Sequence, residues 1–205
     1  MIEIFNDIEQ GTKEWFEARA GIPTASMFSA VISKGRGSAP SATRKTYMLK
    51  LLGERLTGEL QESFTNEHLE RGKLMEAEAR TLYEFQSDNE VNEIGFVRNG
   101  DVGCSPDGVI GEAGLLEIKT KLPHLQLDAL LKGEMPSEHK AQVQGQLMVT
   151  EREWCDFVSY WPKLPLLLVR VERDEAYIKE LAEKIEAFNK ELQELEFKFK
   201  HDMAA

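Results

Sequence analysis

The chain has 205 residues and carries 36 Asp and Glu against 25 Lys and Arg, a formal net charge of −11. That length suits one α/β domain with a full core and is short for two, so a single domain over 1–205 is expected. No apolar run approaches a membrane span and the N-terminus Met1–Asp7 is mixed and acidic, which excludes a signal peptide there and gives a cytoplasmic protein as the expectation. Cys104 and Cys155 cannot supply the four thiolates of an iron–sulfur cluster; both lie in strand-like apolar stretches, where free thiols pack in cores.

The net charge opposes nucleic acid binding, but its distribution does not. Between Ala18 and Gly53 there is no acid, while Arg19, Lys34, Arg36, Arg44, Lys45 and Lys50 all fall there. The acid excess lies in Glu62–Glu93 and Glu172–Glu196, where it can face solvent away from a polyanion.

Trp15–Ala20 is predicted to be a short helix ended by Gly21 and Pro23, and Thr24-Ala25-Ser26 to start another with Thr or Ser as N-cap. Arg19, Thr24 and Ser26 are then either an anion site of guanidinium, hydroxyls and free amides, or a cap beside a surface arginine. Lys34–Ala42 is rich in Gly, Ser and Pro with two basic residues, a linker or a loop that orders on phosphates. Thr43–Leu56 reads as a helix with Tyr47, Leu51 and Leu52 inward. A longer helix, about Leu69–Gln86, is expected to bury Leu74, Met75, Ala79, Leu82 and Phe85, with Glu76 at the boundary of that face. Val91–Arg98 and Asp101–Pro106 flank Asn99-Gly100, the pattern of a type I′ hairpin.

That hairpin delivers Ser105-Pro106-Asp107-Gly108. Val109-Ile110, a turn at Gly111–Gly114 and an alternating Leu115–Thr120 follow, so neighbouring strands meet here. Alternation puts Glu117 and Lys119 on one face. Strands lie about 4.8 Å apart, which lets Asp107 reach the same small volume as Glu117. Close carboxylates repel unless a cation lies between them, and hard oxygen ligands with room for water suit Mg²⁺ or Mn²⁺. Lys119 would stand beside that ion, able to orient or deprotonate a water; the alternative is an ordinary hairpin whose exposed face carries acids and a lysine. Glu76 is a third acid in reach of the ion or its water shell, if its helix packs on this sheet.

Leu125–Lys132 is a helix ended by Gly133. The next, from Ser137 or Glu138, carries Gln142, Gln144 and Gln146; only Gln142 and Gln146, four apart, share a face, as helix surface or as amides in reach of a water or phosphate. Trp154–Trp161 and Leu166–Val171 complete the sheet. From Asp174 a helix repeats Ile178, Leu181, Ile185, Phe188, Leu192, Leu195 and Phe199 at spacings of three and four, with Glu180–Lys184 and Glu186–Lys190 as candidate ion pairs.

Jointly, Trp15–Ser26, Arg71-Gly72-Lys73 through Phe85, Ser105–Gly108, Glu117-Ile118-Lys119 and Ala141–Gln144 resemble the phage lambda exonuclease family of viral recombination nucleases. The resemblance implies a restriction-endonuclease-like core: a central mixed β-sheet flanked by helices, with a helical N-terminal region and a long C-terminal helix. It implies a Mg²⁺-dependent exonuclease, with Mn²⁺ as substitute and one or two ions bound, that digests one strand of duplex DNA from its 5′ end to mononucleotides. It further implies a ring of three subunits, a single-strand annealing partner and a phage or prophage setting in a bacterial host. By position, Asp107, Glu117 and the Ile118 carbonyl would bind metal, Glu76 would serve the metal or its water, and Lys119 and Gln142 would act on the nucleophile. Arg19 would hold the 5′-phosphate with Thr24 and Ser26; Ser105, Lys34, Arg36, Arg44 and Lys45 are further candidates for DNA contact. An endonuclease of the same fold and a non-catalytic DNA-binding module are the alternatives, and intact Asp107, Glu117 and Lys119 argue against the second.

Overall fold

The computed structural model describes residues 1–35, 41–59 and 67–202. Arg36 and most of the expected loop after Lys34 therefore lie outside the described residues.

Four strands form the central mixed sheet in the order β4 (Gly108–Ile110), β5 (Gly114–Thr120), β6 (Trp154–Tyr160), β7 (Leu167–Glu172). β5 and β6 run parallel and the outer pairs antiparallel. The parallel step needs a crossover. Helices α5 (Pro123–Lys132) and α6 (Lys140–Thr150) supply it, α5 opening on Pro123 and closing on Gly133 at φ +64. α7 (Glu175–Asp202) joins α6 on one face, where Leu115, Val143, Leu147, Phe157 and Ile178 pack together. α4 (Glu67–Ser87) covers the other through Met75, Ala79 and Tyr83 against Leu116, Ile118 and Val158.

A second, antiparallel sheet stands apart from the first, with β1 (Ile2–Phe5), β2 (Phe96–Asn99) and β3 (Val102–Cys104) in that order. Its Val97 and Cys104 share a core with Phe28, Tyr47, Leu51 and Phe188. This core also holds α2 (Phe28–Val31) and α3 (Ala42–Thr57), while α1 (Lys13–Arg19) lies against β2. Ser41 caps α3 by accepting from the Arg44 amide at 3.0 Å. Both cysteines are buried free thiols. Among the described residues no helix is long and apolar enough to cross a membrane.

Four expectations change. The inward stripe of α4 is Met75, Ala79 and Tyr83, while Leu74 and Phe85 are 75% and 88% exposed. A strict four-residue spacing chose the tyrosine over nearby apolar residues, because its hydroxyl finds a buried acceptor in Asp156 at 2.6 Å. Asn99 pairs with Val102, so the hairpin loop is Gly100-Asp101; only Gly100 has positive φ, the mark of a type II′ rather than a type I′ turn. Thr24 precedes a short 3-10 turn, Ala25–Met27, without capping it, since its hydroxyl is taken by Arg19. In α7, Glu180 and Lys184 stand 3.7 Å apart, whereas Glu186 and Lys190 form no ion pair among the described residues.

Candidate active site

Alternation along β5 turns Leu116 and Ile118 toward α4 and Glu117 toward α6. Glu117 is buried to 1% exposure, and a carboxylate so placed needs donors on every side. It has them. Oε1 lies 2.5 Å from both the Lys119 ammonium and the Gln142 amide nitrogen, and Oε2 accepts from Gln146 at 2.6 Å. The one-turn spacing on α6 thus puts two amides on one carboxylate, and Gln146, expected to share a face with Gln142, is as close as Gln142. Gln144 points away and ties α6 to the β7–α7 link, donating to the Glu172 carbonyl and accepting from the Asp174 amide.

Asp107 sits in the connection between the two sheets, just before β4, rather than within a strand. Its amide donates to the Leu116 carbonyl at 3.1 Å and its Oδ2 accepts from the Ile118 amide at 2.5 Å. β4 ends its pairing at Leu116, which leaves the edge of β5 open beyond it. Because a strand residue directs its amide and carbonyl to the same edge, Ile118 presents its carbonyl beside Asp107. Burial, then the charges of Glu117 and Glu76, push the Asp107 carboxyl well above the usual range. Glu76, on the facing turn of α4, is raised by burial and by Glu117 despite an ion pair with Arg80 at 3.3 Å. Burial pulls the Lys119 ammonium down, but Glu117, Asp107 and Glu76 outweigh it and hold its pKa up.

Three acids against Lys119, with Arg80 only at the outer side of Glu76, leave an excess of negative charge in a shielded volume. Among the described residues no three His, Cys, Asp or Glu stand close enough to hold an ion between them. The residues that could hold an ion here are Asp107, Glu117 and the Ile118 carbonyl, all hard oxygens, with Glu76 near enough to share their field. The buried Gln146 Oε1, which has no partner, adds another oxygen at this centre. This chemistry fits Mg²⁺ or Mn²⁺.

A cavity of about 580 Å³ opens next to this centre, lined by Trp15, Arg19, Thr24, Ser26, Lys73 and Glu76 among others. The Arg19 guanidinium lies 4.0 Å over the Trp15 ring and donates to Thr24 Oγ1 at 3.0 Å; Ser26 Oγ is 3.4 Å from the same hydroxyl. Burial lowers the Arg19 pKa, and among the described residues no carboxylate lies within ion-pair distance. A desolvated cation in that position favours a bound anion. The sequence-predicted trio is therefore assembled. Gly145 brings α6 onto the Ala25–Met27 turn, since a Cβ there would stand 2.4 Å from the Phe28 ring.

Other expected contacts divide. Lys34 and Lys45 are exposed outside the cavity lining. Arg44 is turned inward, paired with Glu191 at 2.7 Å over the Phe188 ring, so its charge is already spent within the fold. Ser105 accepts from the Trp15 indole at 2.8 Å. Lys50 and Lys73 do line the cavity although sequence reasoning did not place them there; the signal for Lys73 was its position three residues, one helical turn, before Glu76.

The chain matches the YqaJ-like viral recombinase domain over residues 14–153. It is 36% identical to an alkaline exonuclease (LHK-Exo) from Laribacter hongkongensis, whose structure aligns with a TM-score of 0.85 over 94% of this chain and 98% of that one. The complex of LHK-Exo with dAMP aligns with a TM-score of 0.86 over the same shares. A phage-related exonuclease from Haemophilus somnus is 14% identical with a TM-score of 0.65, covering 87% of this chain and 96% of its own, and shares the fold. An uncharacterized protein of Acanthamoeba polyphaga mimivirus is 27% identical over 175 residues, 78% of this chain, and this chain spans 30% of that relative's length. On the match that covers residues 14–153, the chain belongs to the YqaJ-like viral recombinase domain family.

Proposed function

We propose that the chain acts as a single nuclease domain, a Mg²⁺-dependent exonuclease that digests one strand of linear duplex DNA from its 5′ end. The observation that carries this reading is the adjacency of two unlike sites, an over-acidic carboxylate centre and a desolvated arginine pocket, with Glu76 lining the passage between them. The exonuclease activity named for LHK-Exo and its complex with dAMP support a mononucleotide as the product.

Asp107, Glu117 and the Ile118 carbonyl would hold the ion. When bound, it would lower the pKa of a water and offset charge on the phosphoryl oxygens. Lys119, kept an ammonium by its acidic neighbours, orients the attacking water through hydrogen bonds. Gln142 and Gln146 fix Glu117 in one rotamer, and Glu76 accepts from the water on its outer side. Water adds to the scissile phosphorus, giving up its proton toward Glu76, while the bond from phosphorus to the 3′ oxygen of the terminal nucleotide breaks and that oxygen takes a proton from solvent. The mononucleotide departs and the shortened strand keeps a new 5′-phosphate for Arg19, Thr24 and Ser26. A terminal phosphate carries more charge than an internal diester, which gives that pocket a means to set polarity.

A ring of three subunits would hold the duplex without strong contacts, and Leu122, Leu125, Leu127 and Leu131, exposed on and before α5, offer apolar surface for such contacts. The 3′ strand left behind would pass to a single-strand annealing protein.

The test is digestion of end-labelled linear DNA with Mg²⁺, beside closed circles and with 5′-phosphate or 5′-hydroxyl ends. Linear phosphorylated ends should be consumed and circles spared. Arg19→Ala should slow the phosphorylated substrate by about tenfold to a hundredfold, the worth of a charge-assisted contact, and narrow its advantage over hydroxyl ends. Cleavage of circles would make the protein an endonuclease.

A further inference from the structure

We infer that Trp15 is the positioning residue that couples an occupied Arg19 pocket to the seat of Asp107, an inference that rests on the proposed end recognition. The indole is used on two sides. Its face carries the Arg19 guanidinium at 4.0 Å. Its Nε1–H donates to Ser105 Oγ at 2.8 Å and to the Gly95 carbonyl at 3.1 Å. Ser105 stands two residues before Asp107, whose carboxylate is fixed at the far side by the Ile118 amide.

A second strut runs alongside. The Gln10 amide donates to the Pro106 carbonyl at 3.0 Å and to the Ile94 carbonyl at 3.1 Å, while the Gln10 carbonyl accepts from Lys73, another cation of the same cavity. Both residues ahead of Asp107 are thus held by the segment that walls the anion pocket. An indole is a rigid plate, so an anion that shifts Arg19 on its face also moves the hydrogen bond at its edge. The Ser105 hydroxyl accepts from Trp15 behind the cavity wall, so it meets the anion only through the indole.

Trp15→Phe keeps an aromatic face for Arg19 and removes only the N–H. On 5′-phosphorylated ends kcat should fall about tenfold, the worth of one hydrogen bond, with KM within about twofold of wild type. On 5′-hydroxyl ends kcat should barely move. Ser105→Ala should also lower kcat on phosphorylated ends, and the double variant should lose less than the product of the two single losses, because the Trp15–Ser105 bond is lost in all three. A readout free of cleavage uses the intact protein in EDTA: the indole N–H resonance that Trp15→Phe removes should shift with a 5′-phosphorylated duplex and stay with a 5′-hydroxyl duplex.

A raised KM with unchanged kcat, equal losses on both ends, additive variants or an unmoved resonance would each overturn the coupling while leaving the exonuclease reading in place. A wild type indifferent to the phosphate overturns the pocket reading and the coupling together.

Discussion

Two buried acids stand on neighbouring strands of the central sheet, Glu117 on β5 and Asp156 on β6, at 1% and 2% exposure. Asp156 faces α4 and is closed: Arg170 grips both of its oxygens at 2.6 and 2.9 Å, Tyr83 donates at 2.6 Å, and the guanidinium stacks on Trp154 at 3.5 Å. Glu117 faces α6 and is equally well bonded, yet Asp107 and Glu76 crowd it with like charge. Burial and hydrogen bonding do not separate structure from chemistry here. The sign of the surrounding charge does, since Asp156 has Arg170 to itself while Asp107 and Glu117 share Lys119 beside a third acid, Glu76, whose own partner is Arg80.

The comparison breaks first at the over-acidic side. Asp107→Ala and Glu117→Ala should abolish cleavage, by at least about a thousandfold, with DNA binding in Ca²⁺ retained. Lys119→Ala should lose most turnover while the ion still binds. Retained activity in either carboxylate variant would move the site elsewhere. Asp156→Ala should do the reverse, costing roughly 1–3 kcal/mol by leaving the buried Tyr83 hydroxyl without its acceptor, with kcat of the remaining folded enzyme near wild type. Denaturant melts beside active-site-normalised rates distinguish the two, and a fall in kcat to match the Asp107 variant would merge the networks.

Asp107→Asn sharpens the contrast in stability and pH. The folded pKa of Asp107 lies above its unfolded value, so its favourable contribution is complete below the unfolded pKa and is lost as pH rises through the folded one. At neutral pH the metal-free protein should therefore gain roughly 1 kcal/mol from the change to Asn while losing activity. Ca²⁺ should raise the melting temperature of wild type more than that of the variant. An Asn variant less stable than wild type at pH 7 and no different at pH 5 would show that repulsion is not what governs Asp107.

Much of the open side was legible in sequence because its information is local. Glu117 and Lys119 follow from period two along one strand, and Gln142 with Gln146 from one helical turn. What spacing could not give is which partner a side chain selects. Trp15, Lys50 and Lys73 line one cavity from three distant segments, and only Lys73, one turn before Glu76, had a local signal. Arg44 looked available for DNA by charge alone and is spent on Glu191 and Phe188. Tyr83 was passed over for Phe85 because apolarity, without knowledge of Asp156 waiting across the interface, ranks the residues in the wrong order. The three-stranded meander was missed in part for the same reason: β1 is four residues long and only its pairing with β2 defines it.

The smallest change falls on the closed side. Arg170→Lys keeps the charge beside Asp156 but replaces a planar fork by a single ammonium, so one of the two bonds to the carboxylate and the flat stack on Trp154 are both lost. Half of the Arg170 side chain remains in contact with solvent, at 47% exposure, which screens the pair and keeps the penalty near 1 kcal/mol. Tyr83, whose hydroxyl pKa burial and Asp156 push up to about 12, still donates its proton to the carboxylate and still holds α4 to the sheet. The expected result is a melting temperature lower by a few degrees, with cleavage rates and the preference between 5′ ends unchanged. A change in either rate would mean that the closed network reaches through α4 to Glu76, and that the two faces of the sheet are not independent.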